Sequence, residues 1–191
     1  MAFYLCCQGA SPNRIRVLQF ALQVTGANTM TNVQSLRQHV LNLLKMKGAH
    51  MSFDDAVADV PEHMINTFPP NVPYTCWHLV EHLRITQWDI LEYTRDPQHV
   101  SPEWPAGYWR GRDEKADLAA WNQTIEQFRH DLKAMQDIVA DPNTDLLSPI
   151  PHGYGGHTVL REALILADHN AYHVGELAIL RQVLGAWHPQ H

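Results

Sequence analysis

Acidic residues are missing from the first 53 positions of this 191-residue chain, and the first of them is Asp54. Within that region, residues 1–29 carry Arg14 and Arg16 among apolar side chains. Targeting peptides are also basic and poor in acids, so a transit peptide is one interpretation. We favour the alternative that residues 1–29 are an upstream extension with Met30 as the initiator, and we expect them to lie outside the core.

Cysteine is also scarce, since Cys6, Cys7 and Cys76 are the only three. They form neither a disulfide framework nor a CxxC zinc site, which makes a reducing cytoplasm the expected location. No apolar run reaches the about 18 residues of a membrane-spanning helix, so we expect no membrane partner. The formal charge of −6, with no basic stripe in the main body, argues against a nucleic-acid partner.

Segments that alternate polar and β-branched residues are absent too, which argues against a sheet. Helical periodicity is present instead, in four long segments joined by sizeable connections. A chain of this length forms one domain by default and can bury a sizeable core. We therefore predict an all-α four-helix bundle over residues 30–191, with long loops between helices 1 and 2 and between helices 2 and 3. The predicted helices cover approximately residues 32–47, 74–93, 113–141 and 158–184, the third of them capped by Asp113 and ended by Pro142.

The second long loop, at residues 96–112, contains Trp104, Tyr108 and Trp109 together with three prolines. Loops of this length inside compact domains are often functional, and this one is able to fold back as a lid. Aromatic side chains in a loop also need somewhere to pack, so plain structural packing is an equal alternative.

Histidine is abundant, with 13 copies, and His169 and His173 stand out by their spacing. Four residues apart on a helix, their imidazoles point the same way. The surrounding run at residues 160–184 is apolar on both sides, which predicts a central and buried helix. Buried polar groups need partners, and one metal ion satisfies both imidazoles. Histidines held only by hydrogen bonds are the alternative.

A catalytic zinc site needs three protein ligands and an open position, so the third ligand must come from another helix. The second predicted helix offers His78 and His82, and spacing alone does not choose between them. Glu176, three residues beyond His173, either reaches the same region or accepts a hydrogen bond that fixes an imidazole tautomer. The chain contains no HExxH, no phosphate-binding glycine loop and no GxSxG, so these three enzyme classes have no support.

Two segments resemble the DinB-like superfamily of metal-binding four-helix bundles: WHLVEHLRITQWDILE at residues 77–92 and ADHNAYHVGEL at residues 167–177. The resemblance extends from about residue 30 to about residue 187. It implies two ligands four residues apart on the last helix, which His169 and His173 match, and one ligand on the second helix. The family pattern on that helix selects His82 over His78, because its residues fall on Trp77, Leu79, Glu81, His82 and Arg84.

The resemblance also implies a function. Zinc or nickel is the usual metal, and some members resemble thiol transferases that use bacillithiol or mycothiol, or a thiol-dependent maleylpyruvate isomerase. We therefore expect a metal-dependent transferase or hydrolase with an unknown small-molecule substrate and a low-molecular-weight thiol as co-substrate. His78, Asp89 and Glu176 are candidates for a base or for orienting the ligands. The alternative is a non-catalytic, stress-linked or homodimeric bundle with a structural metal or none.

Overall fold

The computed structural model describes residues 31–46, 48 and 50–187. The predicted extension at residues 1–29 lies outside them, so its boundary stays a prediction. The described residues form α-helices and one 3₁₀ helix, Ala106–Tyr108, with no strand beyond an isolated bridge, which confirms the predicted all-α class. The α-helices are α1 Asn32–Leu44, α2 Phe53–Val57, α3 Glu62–Ile65, α4 Cys76–Arg95, α5 Leu118–Ala140 and α6 Val159–Val183.

Each of the four long helices begins where a side chain satisfies a free backbone N–H of the first turn. The side chains of Thr31, Thr75, Asp117 and Thr158 each accept a hydrogen bond from the backbone N–H three residues further on. These short-range contacts explain why three of the four helix starts are close to the positions that the sequence predicts.

The predicted start of the third long helix is wrong, because Asp117 and not Asp113 is its cap. The reason is a contact with a distant residue. The side chain of Asn66 donates to the carbonyl of Ala116 at 2.7 Å and accepts from its N–H at 3.0 Å. Both backbone groups of Ala116 are thereby engaged before the helix begins.

Helix α4 lies at the centre of the bundle, packed against both α5 and α6. Buried residues account for 13 of its 20 positions, and Leu79, Leu83 and Leu91 have no exposed surface. Complete burial of a leucine side chain contributes about 1.5–3 kcal/mol. Polar residues of α4 are also buried because they have partners: Gln87, for example, donates to the carbonyl of Phe128 at 2.6 Å.

The prediction that the last helix is buried on both sides is wrong. One side of α6 packs against α1 and α4, whereas the other side is exposed. Apolar composition predicted burial, but no described element covers this outer face. Within the described part of the chain, no helix combines the length and the hydropathy needed to cross a bilayer. The large apolar side chains of the outer face are Leu164, Ile165, Tyr172, Ile179 and Val183.

Candidate metal centre

Three histidines converge between α4 and α6. His82 comes from α4, His169 and His173 come from α6, and one ring nitrogen of each lies within 4.8 Å of the other two. The Nε2 atoms of His82 and His169 are 3.2 Å apart. Two nitrogens bound to one tetrahedral zinc ion at 2.0–2.1 Å are roughly 3.3 Å apart, so the observed spacing fits a shared metal ion.

A hydrogen bond fixes the tautomer of His82. Its Nδ1 lies 2.9 Å from the carbonyl oxygen of Tyr108. A carbonyl only accepts, so Nδ1 carries the proton and Nε2 presents its lone pair to the other histidines. His82 itself is 4% exposed, and burial lowers its pKa.

Tyr108 is in turn held by Asp89. The Tyr108 hydroxyl donates to one oxygen of Asp89 at 2.6 Å, and Nε2 of His99 lies 2.7 Å from the other oxygen. Burial and the Asp89 carboxylate raise the pKa of Tyr108 to about 12, so its hydroxyl remains a donor at neutral pH. Asp89 therefore acts on His82 through Tyr108 and does not touch the imidazole directly.

Glu176 fixes the tautomer of His173. One of its oxygens accepts from Nδ1–H of His173 at 2.6 Å, and the other accepts from the hydroxyl of Tyr74. Burial raises the pKa of Glu176. Because both oxygens are occupied, Glu176 orients the imidazole and leaves Nε2 of His173 facing the cluster.

His169 has no such support. Its Nδ1 is buried, and no described residue makes a hydrogen bond to it. Burial and the adjacent His82 lower the pKa of His169 to about 4, and burial together with both other histidines lowers the pKa of His173 to about 3. The imidazoles are therefore neutral at pH 7, which is the protonation state that binds metals.

Aromatic side chains lie against two of the three histidines. Trp109 stacks on His82 with ring centroids 4.0 Å apart and planes 7° from parallel. Tyr74 contacts Trp109 at 5.3 Å, and Tyr172 contacts His173 at 4.8 Å, both measured between centroids. The loop at residues 96–112 thus folds back onto α4, and Tyr108 and Trp109 both pack there and form a wall of the site, whereas Trp104 is 74% exposed.

A family model described as the DinB superfamily matches residues 27–177, most of the chain. The protein belongs to the DinB superfamily. The matched range contains all three histidines, and the resemblance stated from the sequence is confirmed. Comparisons with curated proteins and with solved structures found no match.

Of the two histidines that spacing left equivalent, the structure of this DinB-superfamily chain brings only His82 to the cluster. Nδ1 of His78 accepts from the backbone N–H of Thr75 at 3.2 Å, and its Nε2 lies 3.1 Å from the carbonyl oxygen of Glu114. His78 therefore caps the start of α4. Sequence reasoning missed the contact of Tyr108 with His82, because a backbone carbonyl has no sequence signal.

Proposed function

We propose that this DinB-superfamily protein binds one divalent metal ion, zinc or nickel, through His82, His169 and His173, and catalyses a transferase or hydrolase reaction on a small molecule. The observation that carries the proposal is the convergence of three neutral imidazole nitrogens at a spacing that fits one ion. A bound divalent ion supplies a Lewis acid that lowers the pKa of a coordinated water or thiol.

The chain's own residues orient the ligands. The Tyr108 carbonyl and the Glu176 carboxylate each hold an Nδ1–H, so that Nε2 of His82 and of His173 face the same point. Trp109 covers one face of the His82 ring and excludes water from it. Both oxygens of Asp89 and of Glu176 are engaged in hydrogen bonds, which favours positioning over general-base roles for these carboxylates.

A low-molecular-weight thiol is the co-substrate that we propose within this class. Superfamily membership supports it, and so does the number of ligands. In the described part of the chain the group consists of three side chains, and three protein ligands leave a position for water or a thiolate. The thiol of Cys76 is free and buried, in keeping with the cytoplasmic location that we propose.

Elemental analysis of the purified chain tests the proposed metal. We expect one divalent ion per chain, because three positioned neutral imidazoles bind zinc or nickel without competition from protons at pH 7. His130→Ala is the control, since the side chain of His130 is 78% exposed and lies outside the cluster. A chain that stays metal-free after incubation with zinc and with nickel contradicts the proposal.

Activity is then measured on the metal-loaded protein in two arms. The first contains a low-molecular-weight thiol and an electrophilic acceptor, and the loss of free thiol is followed. The second contains ester and amide substrates without thiol. Turnover in the first arm alone identifies a transferase, and turnover in the second identifies a hydrolase. No turnover by loaded protein in either arm favours the non-catalytic alternative.

The outer face of α6 favours a second candidate function, association of two copies of the bundle. Gly175 lies midway along this face with open space where a Cβ would project, so a second helix can approach closely. In antiparallel pairing about Gly175, Asp168 of one copy lies opposite Gln182 of the other, and Tyr172 lies one residue from the position opposite Ile179. Such a face is complementary to itself, as a two-fold interface requires.

Sedimentation velocity tests this association. We expect the wild-type chain to sediment as a dimer and Ile179→Glu to sediment as a monomer, because the buried charge would have no partner. The matched control is Leu147→Glu, which adds the same charge at a residue that is 55% exposed and lies off α6. A wild-type chain that remains monomeric at the highest concentration measured contradicts the proposed dimer.

A further inference from the structure

A cavity lies apart from the three histidines, between α4, α5 and the end of the loop at residues 96–112. Its volume is about 390 Å³. No residue of the proposed metal centre lines it, so its chemistry is independent of the metal. The side chains that determine this chemistry are Trp77, Glu81, Arg84, Arg110, Thr124 and Gln127.

The carboxylate of Glu81 is 2% exposed and saturated by neighbouring donors. Arg84 donates to it from Nε and Nη2 at 2.9 and 2.8 Å, and Arg110 donates from the same two atoms at 3.1 and 2.7 Å. The hydroxyl of Thr124 adds a further hydrogen bond at 3.0 Å. Glu81 therefore has little capacity left to accept a hydrogen bond from a ligand.

Two guanidinium groups face this one carboxylate, so the cavity carries an excess of positive charge. The other acidic neighbour is Glu114, whose oxygen lies 3.9 Å from Nη1 of Arg110 and whose side chain is 51% exposed. An exposed ion pair at that distance is weak because water screens it. Glu114 thus offsets only part of the charge of Arg110.

Two donors of the arginines that line the cavity are unused. Nη1 of Arg84 and Nη1 of Arg110 donate to no described residue. An oxyanion in the cavity could accept from both groups in charge-assisted hydrogen bonds.

We propose that this cavity binds a small oxyanion, a carboxylate or phosphate group, through the guanidinium groups of Arg84 and Arg110. Guanidinium groups only donate hydrogen bonds, and oxyanions only accept them. Arginine also matches the geometry of carboxylate and phosphate oxygens. A cation is excluded because the Glu81 carboxylate is already fully engaged.

Isothermal titration calorimetry of the full chain with inorganic phosphate, and separately with succinate, tests the site. We expect saturable binding of at least one of the two anions, and the arm that binds identifies the preferred group. Gln127→Glu places a negative charge in the cavity and should weaken binding by about 10-fold or more.

Asn122→Asp is the matched control for Gln127→Glu. It adds the same charge to the same helix at an exposed position that does not line the cavity, and affinity should stay within about twofold of wild type. Far-ultraviolet circular dichroism verifies the fold of each variant. Gln127 is exposed, so its exchange leaves the core unchanged.

Three outcomes overturn the proposal. One is a calorimetric titration in which neither phosphate nor succinate gives a saturable heat signal. Another is a Gln127→Glu variant that binds as tightly as wild type. The third is binding that disappears in a His82→Ala, His173→Ala double variant, because the anion would then be bound to a metal at the histidines and not in this cavity.

Discussion

Replacing both His82 and His173 by alanine is expected to lower the affinity for zinc or nickel by more than about 1000-fold. Loss of a single outer hydrogen bond to a ligand typically costs about 10- to 100-fold, and this variant loses two of three direct ligands. His169 remains, but it has no hydrogen bond to support its Nδ1, and a single imidazole does not hold an ion against dialysis.

Two measurements check this expectation. Elemental analysis after dialysis should find the ion in wild type and none in the double variant. Thermal unfolding should show stabilisation of the wild-type chain by added metal, about 2.7 kcal/mol when free metal is 100 times the dissociation constant. The double variant should show no such stabilisation at the same metal concentration.

The control for this pair is His78→Ala. His78 and His82 share helix α4 and differ by one helical turn, so the control changes the same residue type on the same element. It removes the contacts with Thr75 and Glu114 and should lower stability without lowering the metal content. Stoichiometric metal in the double variant would contradict the proposed site. Loss of the metal in His78→Ala would contradict the assignment of His82, and not His78, as the ligand from α4.

Asp89→Asn is expected to lower the metal affinity by about 10- to 100-fold although Asp89 does not face the ion. The physical reason is the chain of contacts from Asp89 to the Tyr108 hydroxyl and from the Tyr108 carbonyl to Nδ1 of His82. Tyr108 and His99 contact different oxygens of Asp89, and asparagine replaces one of these oxygens with an NH2 group, which only donates, so the pair of contacts is no longer satisfied as it is in wild type. The loop at residues 96–112 then loses a hydrogen bond that fixes the position of Tyr108, and the His82 ring loses its fixed orientation.

Competition with a chromophoric chelator measures this affinity. Tyr108→Phe removes the same hydroxyl and keeps the carbonyl, so its effect should resemble that of Asp89→Asn. The double variant should lose little more than either single variant, because both act along one path. Asp137→Asn is the control, as Asp137 is exposed and pairs only with Lys133. Wild-type affinity in Asp89→Asn and Tyr108→Phe would rule out this positioning role.

The sequence by itself determined the features that depend on residues close together in the chain. His169 and His173 point the same way because four residues make about one helical turn, and the all-α class follows from the same periodicity. Thr75 and Thr158 begin their helices because a hydroxyl can accept from the N–H three residues on. Spacing alone left His78 and His82 equivalent, and only the family resemblance separated them.

The tertiary structure decided what depends on contacts between distant residues. Asn66 holds the backbone of Ala116 and moves the start of α5, which no local pattern predicts. The carbonyl of Tyr108 orients His82, and every residue type has a carbonyl. Helix α4 occupies the centre because α5 and α6 cover it, whereas the more apolar α6 keeps an open outer face. Composition records how apolar a helix is, but only packing shows which of its faces is covered.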